Sequence, residues 1–564
     1  MSIITDPVHK VLDEVDETGL LCFDIEHDGD LKPGHANFEI HRCGFRSGTV
    51  EDYITDRDVI SEIVCTVFAR DDVEVIAYNG KYDLLCLLSD NIVTVEQIPE
   101  HTFRDPMVAI NLLDDNRRPG AIGLKAVVKD LYGVNLPGYK EATLTGLDSP
   151  VFRKYALNDV HYEYKLWEYV KPKLKDQDLW DLFVKILMPV SCVFAEMELM
   201  GVGWDISSAR RLLTGFQKLR DQMEEGILSE IGLLNINSGD QLAKRLFKEL
   251  GYNTKGIQHT ASGNRLAVDE KAMDILAKRY PVCDKIRTYR TANKMINTYV
   301  EPLTTMALAD TNSRIHPTFW IVSSTGRTRC QNPNFQNIPA WLHKRAKFSE
   351  LNIRKNIVPS PGYKLIVADL SQIELRMMAH ITGDVLFFKA YNSWQCKKCG
   401  DFGSHTTILH HYPSCGVFED EDNGFWHGAD LHQQTFDLVP ATGDRQGAKT
   451  ANFMLIYLGG AWRAHQEYPD LSVDQWQEVI DQYFGPDAYI EVHRWHVKME
   501  AVLRSTGVCT DVFGRKRRIR QADVIKNYKH CLNQFVNFPA QSSACALMEL
   551  SMVNMRRHYI KTKK

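Results

Sequence analysis

The sequence predicts a multidomain protein of mixed α/β and α+β class, and three observations carry that expectation. At 564 residues the chain is too long for one hydrophobic core, so two or three compact units are expected. Its first part alternates apolar strands with helices, as in LLCFDIE and then VEVIAYNGKYDLLCLL. Beyond Lys175 the apolar positions recur at three and four, the register of long amphipathic helices.

Composition bounds the class and leaves the partner open. Hydrophobic residues at 44% and charged residues at 25% match soluble globular domains. No stretch reaches the roughly 18 uninterrupted apolar residues of a membrane helix, and MSIITDPVHK lacks the basic and apolar regions of an export signal. A cytoplasmic setting without membrane partners is therefore expected. Thirteen cysteines, scattered singly at positions such as Cys22, Cys65, Cys192 and Cys545, fit reduced thiols better than a disulfide framework. The net charge of −5 does not by itself point to nucleic acid. The basic run GRKRRIR (residues 514–520) and the tail RRHYIKTKK fit either a solvated charged face or a nucleic-acid surface.

Residues 20–25 read as a buried strand that places Asp24 and Glu26 two apart, on the same side. Two carboxylates so close repel unless they are solvated or neutralised, and a hard divalent cation is the natural neutraliser. Asn79-Gly80-Lys81-Tyr82-Asp83 then opens a helix, and VFRKYALNDVHYEYKLW places Tyr155 and Asp159 one helical turn apart. Together these motifs resemble the DEDD exonuclease superfamily, in the branch whose last motif is Tyr-x-x-x-Asp. The resemblance implies an RNase H-like 3′-to-5′ exonuclease domain over residues 1–178. Asp24, Glu26, Asp83 and Asp159 would hold two Mg²⁺ or Mn²⁺ ions there, and Tyr155 would orient the attacking water. The stretch GLKAVVKDLYG (residues 123–133) is similar to the helix that precedes the last motif in these enzymes.

Residues 179–312 read as helices, with Asn237-Ser238 as a cap before INSGDQLAKRLFKELGY runs into its helix. In this order they resemble the thumb of polymerase I-like enzymes, which implies that Lys294 and Thr298 lie near the primer strand.

Residues 313–564 carry a third set of motifs, which together resemble those of family A, the polymerase I-like DNA polymerases, and the resemblance implies the palm and fingers of a right-hand fold. Ser324-Thr325-Gly326-Arg327 and Asn334-Phe335-Gln336-Asn337-Ile338-Pro339 match elements that place Arg327, Gln336 and Asn337 on DNA, the arginine in the minor groove. The apolar run YKLIVADL reads as a buried strand ending in Asp369. The octet Asp369-Leu370-Ser371-Gln372-Ile373-Glu374-Leu375-Arg376 resembles the palm motif, with Leu370 where Tyr is usual. It implies Asp369 as a ligand of both catalytic metals, Gln372 beside the nucleotide, and Glu374 as the group that excludes a 2′-hydroxyl. Arg445, Lys449, Phe453 and Tyr457 recur every four residues along one helical stripe. The stripe is similar to the fingers helix that neutralises the triphosphate and stacks on base and sugar, with Lys449 also placed to protonate the leaving pyrophosphate. The sequence departs from the family in reading Tyr457-Leu458-Gly459 where Tyr-Gly is usual. His432, in Asp430-Leu431-His432-Gln433-Gln434-Thr435, would touch the β-phosphate side. Asn537 and Gln541 match a template-primer contact, while Asn533 stands where Arg is more usual.

One expected element is missing and one is extra. The family's His-Asp-Glu turn, which brings a second palm acid, has no counterpart after Gln541, and no acid lies between Glu549 and Lys564. Either a second polypeptide completes the palm, the reading preferred here, or the polymerase part is a truncated product. Residues 392–428 form an insertion in which Cys396, Cys399, His411 and Cys415 approach zinc-finger spacing, with His405 or His410 as alternatives to His411. One structural Zn²⁺ is expected there.

The expected function is template-directed DNA synthesis with proofreading for a phage-like replicon, working in a bacterial host's cytoplasm on primer-template DNA and dNTPs. The alternatives are a 3′-to-5′ exonuclease with an inactive polymerase body, and a non-catalytic DNA-binding scaffold.

Overall fold

The computed structural model describes the whole chain except residues 1–6, 28–31, 35–36, 118, 261, 341, 396–401, 405–429 and 564. The zinc-site residues Cys396, Cys399, His411 and Cys415 therefore lie outside the described residues. Two compact units emerge. One comprises Met1–Glu196, Trp320–Arg329 and Ala368–Lys564, the other Met197–Phe319 and Cys330–Val367.

The first unit contains a five-stranded mixed sheet in the order β3-β2-β1-β4-β5, built from β1 (Leu20–Glu26), β2 (Arg42–Ser47), β3 (Val50–Ile54), β4 (Glu74–Ile76) and β5 (Phe103–Arg104). β1 lies at its centre, antiparallel to β2 and parallel to β4. That position explains the run of apolar residues in β1, since both faces of a central strand are covered. The 27-residue helix Pro150–Asp176 buries Phe152, Tyr155, Ala156, Asp159, Val160, Glu163, Leu166 and Trp167 along one stripe. It approaches β2 at Gly44, where an added Cβ would stand 3.2 Å from Val160 and 3.4 Å from the Ala156 carbonyl oxygen.

The rest of this unit is mostly helical, with two short hairpins, Ser393–Gln395 with Phe402–Ser404 and Val508–Thr510 with Lys516–Arg518. Trp476, Tyr483, Tyr489, Phe387, Leu455 and Phe535 are almost fully buried in one core. Polar groups inside it are paired: the Tyr483 hydroxyl donates to Asn452 Oδ1 at 3.0 Å, and the Thr435 and Tyr489 hydroxyls lie 2.7 Å apart. The long helix Tyr528–Lys563 runs back to the sheet-bearing part of the same unit. There Arg556 pairs with Glu100 at 2.7 Å and with Glu196 at 2.5 Å, while Arg557 also reaches Glu100 at 2.7 Å. Arg517 and Arg518 both engage the buried Asp115, at 2.6 and 3.3 Å.

In the second unit the helices Ile206–Ile231 and Pro281–Lys294 pack together. Residues of the first helix enter two separate cores, one around Trp204, Phe216 and Tyr299 and the other around Ile227, Leu242, Met273 and Ile286. A short sheet joins Val202–Trp204 to Arg314–Ile315 and Ile357–Val358. The cap expected at Asn237-Ser238 forms at Ser238, whose hydroxyl accepts the Gln241 N–H. Among the described residues no helix is long and apolar enough to cross a membrane. The ten described cysteines are free, Cys22 and Cys192 buried, Cys65 and Cys545 half-buried.

The turn between β4 and the helix Lys81–Ser89 depends on glycine. A Cβ at Gly80 would stand 2.6 Å from the Ala77 Cβ and 2.7 Å from the Phe103 ring, closer than real side chains come. Gly80→Ala should lower stability by about 1–3 kcal/mol. Denaturant unfolding followed by circular dichroism checks this, and unchanged stability would show that the turn relaxes freely.

Candidate functional site

Three carboxylates from β1 and from the Pro150–Asp176 helix converge. Ligand atoms of Asp24, Glu26 and Asp159 all lie within 4.8 Å of one another. Asp24 and Glu26 come from the C-terminal half of β1. Asp83, in the first turn of the helix Lys81–Ser89, accepts a hydrogen bond from the Ile25 N–H at 3.0 Å, which fixes its carboxylate beside the strand. Asp159 lies one turn beyond Tyr155 on the Pro150–Asp176 helix, and the two side chains are hydrogen-bonded.

Electrostatics mark this group as under-neutralised. Burial, reinforced by the Asp159 charge, pushes the Asp24 carboxyl well above its ordinary range. Burial and then Asp24 do the same to Glu26 and to Asp83. Asp159 is also raised by burial, with the Lys125 ammonium working against the rise. A set of converging oxygen donors held above their usual range suits a hard divalent cation, because the ion supplies the charge the protein withholds.

Sequence reasoning missed two members of the site. Lys125, in the helix Leu124–Tyr132, pairs with Asp159 and sits over the Tyr155 ring at 4.3 Å from its centroid. Glu163 lies one turn beyond Asp159, buried to 1% exposure, and is raised by burial and then by Asp24. The signal for Lys125 was a cation at a helix N-terminus, where the dipole disfavours it. Glu163 left no signal.

The second constellation centres on Glu374, in the first turn of the helix Ile373–Thr382. One oxygen accepts from Arg327 Nη2 at 2.7 Å and the other from the Tyr457 hydroxyl, which is also hydrogen-bonded to Gln541. Arg327 and Tyr457, far apart in sequence, thus meet at the Glu374 carboxylate, and Gln541 joins them through the Tyr457 hydroxyl. The turn bearing Arg327 is backed by Arg515: a Cβ at Gly326 would stand 2.8 Å from its Nε. Arg515 in turn belongs to a buried cluster in which Asp511 accepts from the Ser542 hydroxyl at 2.5 Å.

Arg445, Lys449 and Phe453 lie exposed on the helix Arg445–Leu455, and Arg445 pairs with Asp430 at 2.5 Å. Tyr457 is a correction to the expected stripe. The helix ends at Leu455, and Tyr457 lies in the following turn. Leu458 takes the left-handed conformation at φ 60°, and the Gly459 N–H bonds the Met454 carbonyl at 2.8 Å. The extra Leu therefore forms the turn that carries Tyr457 to Glu374. His432 is buried beside Phe453, and the Asn452 amide nitrogen lies 3.0 Å from its Nδ1. That contact places the ring proton on Nε2, and burial lowers the His432 pKa, so the ring is neutral near pH 7.

Asp369 is the second correction. Residues 363–370 are not a strand, Asp369 is exposed, and Ile366 and Val367 are 92% and 91% exposed. An isolated extended segment has no ladder to stabilise it, and among the described residues none of the sheets includes this one. Gln372, left-handed at φ 52°, caps the next helix and accepts from the Tyr391 hydroxyl at 3.0 Å. Asn537 and Gln541 lie half-buried on the helix Tyr528–Lys563. In the other unit, Lys294 and Thr298 are exposed on neighbouring turns, and Gln336 and Asn337 belong to the short helical turn Phe335–Asn337.

The chain matches the profile of DNA polymerase family A over residues 207–564. It belongs to that family. It is 28% identical over 496 residues to DNA polymerase I of Treponema pallidum (strain Nichols), a match covering 86% of this chain and 45% of that protein. To the thermostable DNA polymerase I of Thermus thermophilus it is 30% identical over 409 residues, or 69% of this chain and 43% of the relative. The chain thus spans about half the length of the curated relatives it matches. The fold is similar to the POL domain of Pol1 from M. smegmatis, solved with primer-template DNA and dNTP: TM-score 0.75 at 20% identity, covering 99% of this chain and 89% of that one.

The raised carboxyls carry a pH signature. A group whose folded-state value exceeds its unfolded value costs no stability at low pH and destabilises progressively as pH rises from the ordinary carboxylate range toward the folded value. In EDTA the unfolding temperature should therefore fall as pH is raised from about 5 to about 8. Glu26→Gln should flatten that slope, and so should saturating Mn²⁺. Calorimetry across this range checks it; a slope that neither change alters would place its origin elsewhere.

Proposed function

We propose that the protein carries out template-directed DNA synthesis and removes misincorporated nucleotides by 3′-to-5′ hydrolysis, as the proofreading polymerase of a phage-like replicon. On this reading residues 1–178 form the exonuclease domain, 179–312 the linker helices and thumb, and 313–564 the palm and fingers. The observation that carries the exonucleolytic half is the convergence of Asp24, Glu26 and Asp159, with Asp83 fixed beside β1 by the Ile25 N–H. The sheet order β3-β2-β1-β4-β5 supports an RNase H-like domain around it.

Mg²⁺ or Mn²⁺ held by Asp24, Glu26, Asp83 and Asp159 would make water more acidic and stabilise the leaving 3′ oxygen. Tyr155, hydrogen-bonded to Asp159, orients the attacking water. In the polymerase half Arg445 and Lys449 present fixed positive charge to a triphosphate, and the Arg445 pairing with Asp430 is exchanged for phosphate oxygens as dNTP binds. Phe453 and Tyr457 bracket the base. Glu374, held from both sides by Arg327 and Tyr457, cannot swing away from a ribose 2′-hydroxyl, so it selects deoxynucleotides. The neutral His432 donates from Nε2 to a phosphate oxygen.

Asp369→Ala, Asp24→Ala and Glu26→Ala separate the two activities. The Asp24→Ala/Glu26→Ala protein should lose 3′ degradation of single-stranded DNA by several orders of magnitude while keeping primer-template binding. Gel assays of end-labelled DNA measure this, and undiminished degradation would sink the exonuclease assignment.

The exposed apolar run Leu365, Ile366 and Val367 leading to exposed Asp369 favours completion of the palm by an added strand. A partner polypeptide with a His-Asp-Glu turn would bury that run and bring the second acid beside Asp369. The same exposure supports the rival reading, an exonuclease with an inert polymerase body. Adding such a polypeptide in trans should raise primer extension by roughly a thousandfold or more, and Asp369→Ala should abolish the gain. Robust extension by the 564-residue chain alone would refute the partner. The zinc proposed for Cys396, Cys399, Cys415 and His411 is checked by metal analysis of protein purified without chelator.

A further inference from the structure

We propose that Lys125 is the built-in counter-cation of the acid cluster and sets how tightly that cluster takes a divalent ion. This rests on the exonuclease reading of Asp24, Glu26, Asp83 and Asp159. Lys125 is the second residue of the helix Leu124–Tyr132, whose cap, Gly123, offers no side-chain hydrogen bond and whose first turn carries no acid. A cation there opposes the helix dipole, so the local helix gains nothing from it. What it gains lies across the site. The ammonium pairs with Asp159, a carboxylate only 6% exposed, and packs on the face of Tyr155. Its charge acts on Asp24, Glu26, Asp159 and Glu163 alike.

Several buried carboxylates facing a single ammonium leave net negative charge, so the site still attracts a divalent ion. That ion must share Asp159 with Lys125. The lysine side chain, 30% exposed on a flexible stem, is able to move toward solvent or toward a phosphate when the ion arrives. The metal-free state is thereby stabilised and metal affinity is lowered by the same interaction, a reciprocity that linkage requires. The consequence is a site that stays folded between metal-loading events and does not hold its ions irreversibly.

The test uses the full chain carrying Asp369→Ala, which removes the palm carboxylate, with Lys125→Met and Lys125→Arg added separately. Mn²⁺ binding is measured by calorimetry and by the electron paramagnetic resonance of free Mn²⁺, and unfolding temperature is measured with and without EDTA. Lys125→Met should tighten Mn²⁺ binding by roughly tenfold, as expected for loss of one unit charge at a partly hydrated site. It should also lower the unfolding temperature in EDTA and recover it with Mn²⁺. Lys125→Arg should behave as the parent in both. Mn²⁺ affinity weakened by Lys125→Met, or held within about twofold of the parent, overturns the proposal. If the parent and its Asp24→Ala/Glu26→Ala form bind Mn²⁺ equally, the cluster is no metal site and the exonuclease reading itself fails.

Discussion

Like-charge repulsion among Asp24, Glu26, Asp83 and Asp159 is the constraint around which the sheet-bearing part of the protein is built. Bringing carboxylates within 4.8 Å of one another in a buried site is unfavourable by itself, and each must be forced into place by structure that is stable for other reasons. Two are carried on the central strand β1, the most heavily flanked position in the sheet. Asp83 is tied down by the Ile25 amide, and Asp159 rides on a long helix anchored by Phe152, Trp167 and Val170. The strain is thus spread over a sheet and a helix.

The opposite arrangement holds where the long C-terminal helix meets the same unit. Arg556, 8% exposed, is matched by Glu100 and Glu196, and Asp115 by Arg517 and Arg518. Buried pairs of this kind add little net stability, since desolvation offsets most of the attraction. They are unforgiving of misplacement, however, because a shifted helix would leave a charge buried alone. These pairs therefore specify register between the sheet-bearing part and the polymerase helices, and they account for part of a basic run that composition left undecided between solvent and nucleic acid.

Legibility followed the range of the interactions. Asp24 and Glu26 were readable because strand periodicity is local, and Tyr155 with Asp159 because one helical turn is local. Arg327, Glu374, Tyr457 and Gln541 were named from motifs, yet nothing in their spacing says that they form one hydrogen-bonded group around Glu374. The four-residue stripe suggested that Tyr457 continues the helix. It does not, because Gly459 caps the Met454 carbonyl and Leu458 turns left-handed, a choice made by two residues after the stripe. The run ending at Asp369 has the composition of a buried strand but lies exposed, since a strand exists only with a neighbour and sequence pattern does not supply one. Asp115 and Arg517 are 402 residues apart, beyond any periodicity.

The two candidate sites differ in how their charges are held, and the difference follows from burial. Glu26, Asp83 and Asp159 are buried and Asp24 is partly so, and an amide, a tyrosine and a lysine lie against the group. Asp369 is exposed to solvent and needs no such support. Glu374 stands between these extremes, half-buried but gripped by Arg327 and Tyr457. A carboxylate that accepts hydrogen bonds from two sides is fixed by the protein itself, whereas one open to solvent is not. Fixed geometry is therefore found at Glu374 and at the acids beside β1, and not at the exposed Asp369.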